Sequence, residues 1–363
     1  MKRSLVVIAF VVTACGGALA QANPAFEPLG RESQLFVVDM NGKDVIRLTR
    51  DDENHAEAAW SRDGRLAFLS SAGGSVALEI MRLDGGDRRV LLQDPVLSWG
   101  GLSWSPDGRR LAFATFLERG SRQRVETVAA DGSQRTRIAE YVVPWNGPFG
   151  PSWSHDGTRL AYARGFGTGP PRVPPGPRPG PAVIPGTMKI VVADAAGRRE
   201  RRLTRLRGEE WNPQWSPRGE SILFSGGTRG ERVGLFAASP EGKARLLAGD
   251  LIFIYDAAWS PDARAVALLA TPYVGDRRTR LLLVDVRTRN VRTLAHADVA
   301  SARPSWSPNG RQIAYAASDG IRIVTAADGH TELLLSVPAQ VGELAWSPDG
   351  AWLAFTAQRV PED

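Results

Sequence analysis

The chain has 363 residues, 43% of them hydrophobic, and a formal net charge of +6 from 45 basic and 39 acidic side chains. Its one cysteine, Cys15, excludes a disulfide framework and a cysteine-based metal site, so stability must come from buried apolar area. The basic residues, mostly arginine, are spread over the whole length, which excludes the gathered basic and aromatic face of a nucleic-acid binder.

From the N-terminus, Lys2-Arg3, an apolar run from Leu5 to Ala14 and then small residues form the three parts of an export signal over residues 1–20. The run is too short to remain as a membrane-spanning helix. Two processing routes stay open. Ala18-Leu19-Ala20 before Gln21 suits cleavage after Ala20, whereas Val12-Thr13-Ala14-Cys15-Gly16 suits lipidation of Cys15, which would be the protein's one membrane attachment. Residues 21–33 read as a linker. Two strands then follow, Gln34 to Val38 and Asp44 to Leu48, around the turn signal Asn41-Gly42.

From Trp60 onward one phrase recurs seven times, opening at Trp60, Trp104, Trp153, Trp215, Trp259, Trp306 and Trp346 with spacings of 44, 49, 62, 44, 47 and 40 residues. Each copy reads as a strand ending at the Trp, a Ser-Pro-Asp-Gly turn or close variant, and a second apolar strand such as Leu111 to Thr115. The fifth copy puts Ala263 where the others have Gly, and a locally altered turn is expected there. Two further strand-like runs around a second turn, for example Asp131-Gly132, complete each period; in the fifth period that turn lacks Gly. Four antiparallel strands per forty-odd residues are the unit of a repeat fold that buries its faces only by stacking. After Trp346 only two strands fit, and two orphan strands precede Trp60. Both chain ends would therefore share one sheet, closing a seven-bladed all-β propeller over residues 34–357 with a tail at 358–363 and removing its open edges.

The repeats, WSPDG followed by an LAF or IAY strand, resemble the TolB-type propeller repeat, a relative of WD-type repeats, over about residues 34 to 357. The resemblance implies an exported, partner-binding propeller of the cell envelope. TolB proteins pair an N-terminal α/β domain with a six-bladed propeller and bind a peptidoglycan-associated lipoprotein. The chain has no room for that domain before Gln34 and has seven repeats, so those particular partners do not carry over. The repeats also distantly resemble oligogalacturonate lyases, which place several His around a central metal. Of His55, His155, His296 and His330, only His55 and His296 are expected to approach one site.

There is no G-x-S-x-G, H-E-x-x-H or phosphate loop, so no catalytic residue, cofactor or metal is assigned. Strand parity puts the connectors between repeats and the second-to-third strand loops on one face. The Pro/Gly-rich insertion 165–187 falls on that face as a semi-rigid extended loop, either functional or without a role. So do Trp99, Tyr141, Trp145, Phe149, Trp211, Phe253 and Tyr255, which form either an aromatic recognition rim or plugs between sheets. Asn212 and Asp256 lie beside them. Three positions before each motif Trp, Glu57, Asn212, Asp256, Arg303 and Glu343 would ring the channel mouth and hold a cation or a basic ligand, or simply be solvated. The resulting expectation is an envelope binding module recognising a protein partner. The alternative is a carbohydrate-active propeller binding or cleaving a polysaccharide.

Overall fold

The computed structural model describes residues 32–72, 75–94, 97–117, 122–143, 150–167, 186–227, 232–272, 278–297 and 302–358. The export signal with Cys15, Trp145, Phe149 and most of the insertion lie outside the described residues, as does the side chain of Trp99, whose backbone lies in strand Leu97–Trp104.

Every described element is a β-strand in an antiparallel sheet. The first repeat is a meander of Asn54–Trp60, Arg65–Ala72, Ser75–Arg82 and Arg89–Asp94. The same four-strand order recurs along the chain. Between Glu209 and His296 two units merge into one seven-stranded sheet, because the 16-residue strand Ala244–Trp259 is the last strand of one unit and the first of the next. Gln340–Trp346 and Trp352–Gln358 pair with Gln34–Asp39 and Val45–Arg47 in a four-stranded sheet, so the two chain ends do meet. At that seam Phe36 lies opposite Phe355 and the rings stack at 5.4 Å, both fully buried.

The recurring Ser-x-Asp turn is held by its own side chains. In the second repeat Ser105 Oγ donates to Asp107 Oδ1 at 2.6 Å and accepts from Arg110 N, while Asp107 also accepts from Arg109 N. These bonds, the Ser105 hydroxyl first, hold the Asp107 carboxyl below its ordinary pKa. Ala263 corrects the expectation of an altered turn. It keeps the left-handed corner at φ 56°, its N–H reaches Ser260 O at 2.9 Å, and Ser260 bonds Asp262 as Ser105 bonds Asp107. The turn bonds outweigh the strain of a Cβ in that region, roughly 1 kcal/mol. Ala263→Gly should therefore raise unfolding stability by about 0.5–1 kcal/mol, read as a higher urea midpoint at unchanged slope. Arg289, at φ 62°, likewise stands in for the missing Gly of that repeat's second turn.

Adjacent sheets are tied by the motif indoles. Nε1 of Trp60, Trp104, Trp153, Trp259 and Trp306 donates to the carbonyls of Ala345, Ala59, Ser103, Gln214 and Ala258, each one residue before the preceding motif Trp, at 2.9 to 3.2 Å. Trp215 and Trp346 differ. Their backbone N–H groups donate instead to Ser152 Oγ and Ser305 Oγ, at 2.9 and 3.1 Å. Both serines follow a proline, Pro151 or Pro304, in inner strands only two residues long. Proline cannot donate to a strand ladder, which shortens the strand there.

The insertion departs from a pure loop at its ends. Arg159–Gly167 and Gly186–Asp194 stay paired as far as Gly167 opposite Gly186, so the expected loop from Gly165 to Thr187 begins as a continued hairpin.

Candidate functional site at the channel mouth

The first strands of all seven repeats converge on one cavity of about 880 Å³. Its lining includes Glu57, Gly101, Gly150, Asn212, Asp256, Arg303 and Glu343, each three residues before its motif Trp. The strand register slips at this position, between Ala56 and Ala59, Gly100 and Ser103, Trp211 and Gln214, and Gly342 and Leu344. At those bulges Glu57, Gly101, Asn212 and Glu343 take positive φ of 61°, 36°, 52° and 45°. A bulge leaves one residue out of the ladder and re-aims its side chain, here towards the shared cavity. Left-handed conformations at non-glycine residues cost of order 1 kcal/mol each and mark positions that the surrounding sheet imposes.

The polar groups form a partial relay around the mouth. Glu343 accepts from the backbone N–H of Glu57, and the Glu57 carboxylate accepts from Gly101 and from Leu102 N, the latter at 3.3 Å. Across the cavity, Asp256 Oδ2 pairs with Arg303 Nε at 3.1 Å and Oδ1 accepts from Ala257 N at 2.7 Å. Three carboxylates therefore face one guanidinium. Withdrawal from water raises the pKa of Glu57 and, together with the Glu57 charge, pushes that of Glu343 up to about 8. The neighbouring carboxylate of Asp256 raises that of Arg303.

Because folded Glu343 holds its proton to about pH 8 and an unfolded glutamate only to about 4.5, the native state binds more protons between these values. The stability this adds is full below pH 4.5 and is lost as pH rises through 8. Glu343→Gln should flatten the stability profile between pH 5 and 8 by on the order of 1–2 kcal/mol after solvent screening. Urea unfolding at both ends of that range is the check, and an unchanged slope would show a normally titrating carboxyl.

The aromatic residues divide. Phe253 is 52% exposed and packs at 4.7 Å on half-buried Tyr255; both line the cavity, as does Trp211, which also packs into the adjoining cores. Tyr141 corrects the expected rim. It is buried, with its hydroxyl donating to Ala163 O at 2.6 Å and its ring stacked on Tyr162, because it belongs to an outer strand covered by the next sheet. Gly101 and Gly150 were readable in the sequence as members of the same column. Their backbones touch, and a Cβ on either would lie within 2.8 Å of the other residue, so these two column positions can carry no side chain into the mouth.

The structure also separates the two histidines expected near one site. His55 is buried at the start of an inner strand, while exposed His296 ends Val291–His296, the outermost strand of its unit. Ligand atoms of Asp51, Glu53 and His55 lie within 4.8 Å of one another. Asp51 is already engaged by His55 Nε2 at 2.6 Å and Arg88 Nη1 at 2.7 Å, and burial lowers the His55 pKa. A cation there would meet the Arg88 charge, so this group reads as a brace for the connector. Neither His55 nor His296 lines the cavity.

Four-stranded antiparallel sheets arranged around a shared cavity define a β-propeller. No protein-family model matches the chain. A stretch of 153 residues, 42% of the chain, is 28% identical to the uncharacterized peptidase YuxL of Bacillus subtilis (strain 168), covering 22% of that protein. Another of 83 residues, 21% of the chain, is 40% identical to the Tol-Pal system protein TolB of Thioalkalivibrio sulfidiphilus (strain HL-EbGR7), covering 18% of it. The matches thus span less than a quarter of either relative's length. Among solved structures, TolB from Acinetobacter baumannii superposes with a TM-score of 0.55 at 20% identity, over 84% of this chain and 66% of that one. An oligogalacturonate lyase from Vibrio parahaemolyticus reaches 0.63 at 12% identity, over 91% and 98%. The fold is that of the TolB-type β-propellers.

Proposed function

We propose that the chain is an exported, non-catalytic binding propeller of the bacterial cell envelope, engaging a protein partner at the channel mouth. Residues 1–20 serve as the export signal, with cleavage after Ala20 or lipidation at Cys15, and residues 21–33 as a linker. Residues 34–357 form seven blades, the last built from both chain ends. The stacked pair Phe36 and Phe355, and the Trp60 indole bonded to Ala345 across the adjoining sheets, support a closed ring.

The observation carrying the function is the cavity itself. A concave site with convergent polar groups, shifted carboxyls and an exposed aromatic ring, Phe253, is what a recognition surface requires. The carbohydrate reading draws support from the Phe253–Tyr255 pair as a stacking platform. Three carboxylates against one arginine oppose an anionic polysaccharide such as oligogalacturonate, and no histidine lines the cavity to hold a lyase metal. The partner binding that the resemblance to TolB-type repeats implies supports the protein reading by analogy of fold.

The test places a photo-crosslinking amino acid at Phe253 of the full chain in envelope preparations, and at Val90, 54% exposed on an outer strand, as control. The expected result is one discrete protein adduct from position 253 and none from position 90. Equal labelling from both, or none from either, overturns the reading.

A further inference from the structure

The channel mouth gathers three acidic side chains around one guanidinium, and a cation entering it would favour ionisation of Glu343, which the confined space otherwise keeps protonated. Arg303 Nε is committed to Asp256 Oδ2, and Glu57 and Glu343 accept backbone N–H groups but have no cation of their own in direct contact. The three acids are not gathered tightly enough for one metal ion: among the described residues, the cluster whose ligand atoms converge within 4.8 Å is Asp51, Glu53 and His55, away from the cavity. A cavity of about 880 Å³ also far exceeds what an ion fills. Its wall is chemically mixed: acidic side chains from the first and last repeats, backbone at Gly101 and Gly150, and the aromatic side chains of Trp211, Tyr255 and Phe253. An occupant suited to this wall has an apolar stem and a positive head. Lysine and arginine side chains have that form.

We propose that the channel mouth is a receptor for a lysine or arginine side chain projecting from the partner, its charged head seated between Glu57 and Glu343 and its stem lying along Tyr255 and Phe253. This rests on the binding reading above and names the chemistry of what enters. The Phe253 and Tyr255 rings supply apolar contact for the stem, and the glycine side leaves a path for the partner's backbone. Asp256, occupied by Arg303, fixes the opposite rim and does not bind the head.

The experiment uses the full chain and three blocked tripeptides, acetyl-Leu-X-Leu-amide with X lysine, arginine or uncharged norleucine, titrated by calorimetry. The charged peptides should bind about tenfold or more tightly over norleucine. The preference should vanish in Glu57→Gln/Glu343→Gln and persist in Asp52→Asn, an exposed acid outside the cavity. Far-ultraviolet circular dichroism confirms that each variant is folded; if the double variant is not, Glu57→Gln alone and Phe253→Ala carry the comparison. Norleucine binding as tightly as lysine, or a double variant that keeps the preference, overturns the proposal. Calcium chloride binding to the wild type while no peptide does also overturns it, in favour of a metal ion. Crosslinking from position 253 separates this inference from the one it rests on. An adduct kept at full yield in Glu57→Gln/Glu343→Gln removes the cation receptor and leaves the binding surface standing, whereas loss of the adduct in every background removes both.

Discussion

Phe355→Ala is expected to destabilise the protein by about 3–5 kcal/mol, the range for deleting a buried phenylalanine from a packed core. Phe355 is fully buried and stacks on Phe36, so the cavity opens where the first strand of the chain meets the last. Neighbouring strands cannot collapse into it without breaking the ladder from Gln34–Ala357 to Asp39–Trp352. Loss at this seam should also free residues 34–47 as a unit. Hydrogen exchange should show protection falling first in Gln34–Asp39, ahead of a core pair elsewhere such as Phe224 and Phe236. A midpoint shift without that regional loss would mean that the terminal strands are held by more than this contact.

Lys189→Met is expected to cost about 3–5 kcal/mol, because removing one partner of a buried pair strands the other charge. Lys189 Nζ, with its side chain 4% exposed, reaches the carbonyls of Leu206 and Gly208 and Glu210 Oε1 at 2.6, 2.5 and 3.2 Å. Glu210, fully buried, also accepts from Ile190 N at 3.1 Å. The double variant Lys189→Met/Glu210→Gln should recover much of the loss, since glutamine keeps the acceptor for Ile190 N without the charge. Urea unfolding of the single and double variants makes the cycle, and additive losses would show that the pair is not coupled. The consequence reaches the site. Glu210 immediately precedes Trp211 and Asn212 in the strand Glu209–Trp215, so this pair anchors the strand that delivers both to the cavity.

Much of this architecture is legible in one sequence because it is local. The Ser-x-Asp turn is built from bonds among residues at most five apart, and its spelling survives in five of the seven copies, with Asn309 and Arg218 in the other two. The column three residues before each motif Trp is also readable, because a repeated strand places equivalent positions equivalently. What that column does is less legible. The bulges that point Glu57, Asn212 and Glu343 into the cavity arise from register slips against partner strands, and composition carries no sign of a slip. The fifth repeat teaches the same lesson in the other direction. Ala263 looks like a break in the pattern, yet the bonds of Ser260 and Asp262 hold its corner.

The amino-acid sequence by itself determined the repeat, the strands and turns within it, and the meeting of the two chain ends, all of which follow from period, turn chemistry and the count of strands left over at each end. Only the tertiary structure decided that Tyr141 belongs to a core while Phe253 and Tyr255 reach the cavity, that His55 and His296 stand at opposite edges of their sheets, and that Glu57 and Glu343 share a confined space with a single arginine. The physical reason is that burial and electrostatic coupling depend on which sheet packs against which, at distances that bear no relation to separation along the chain.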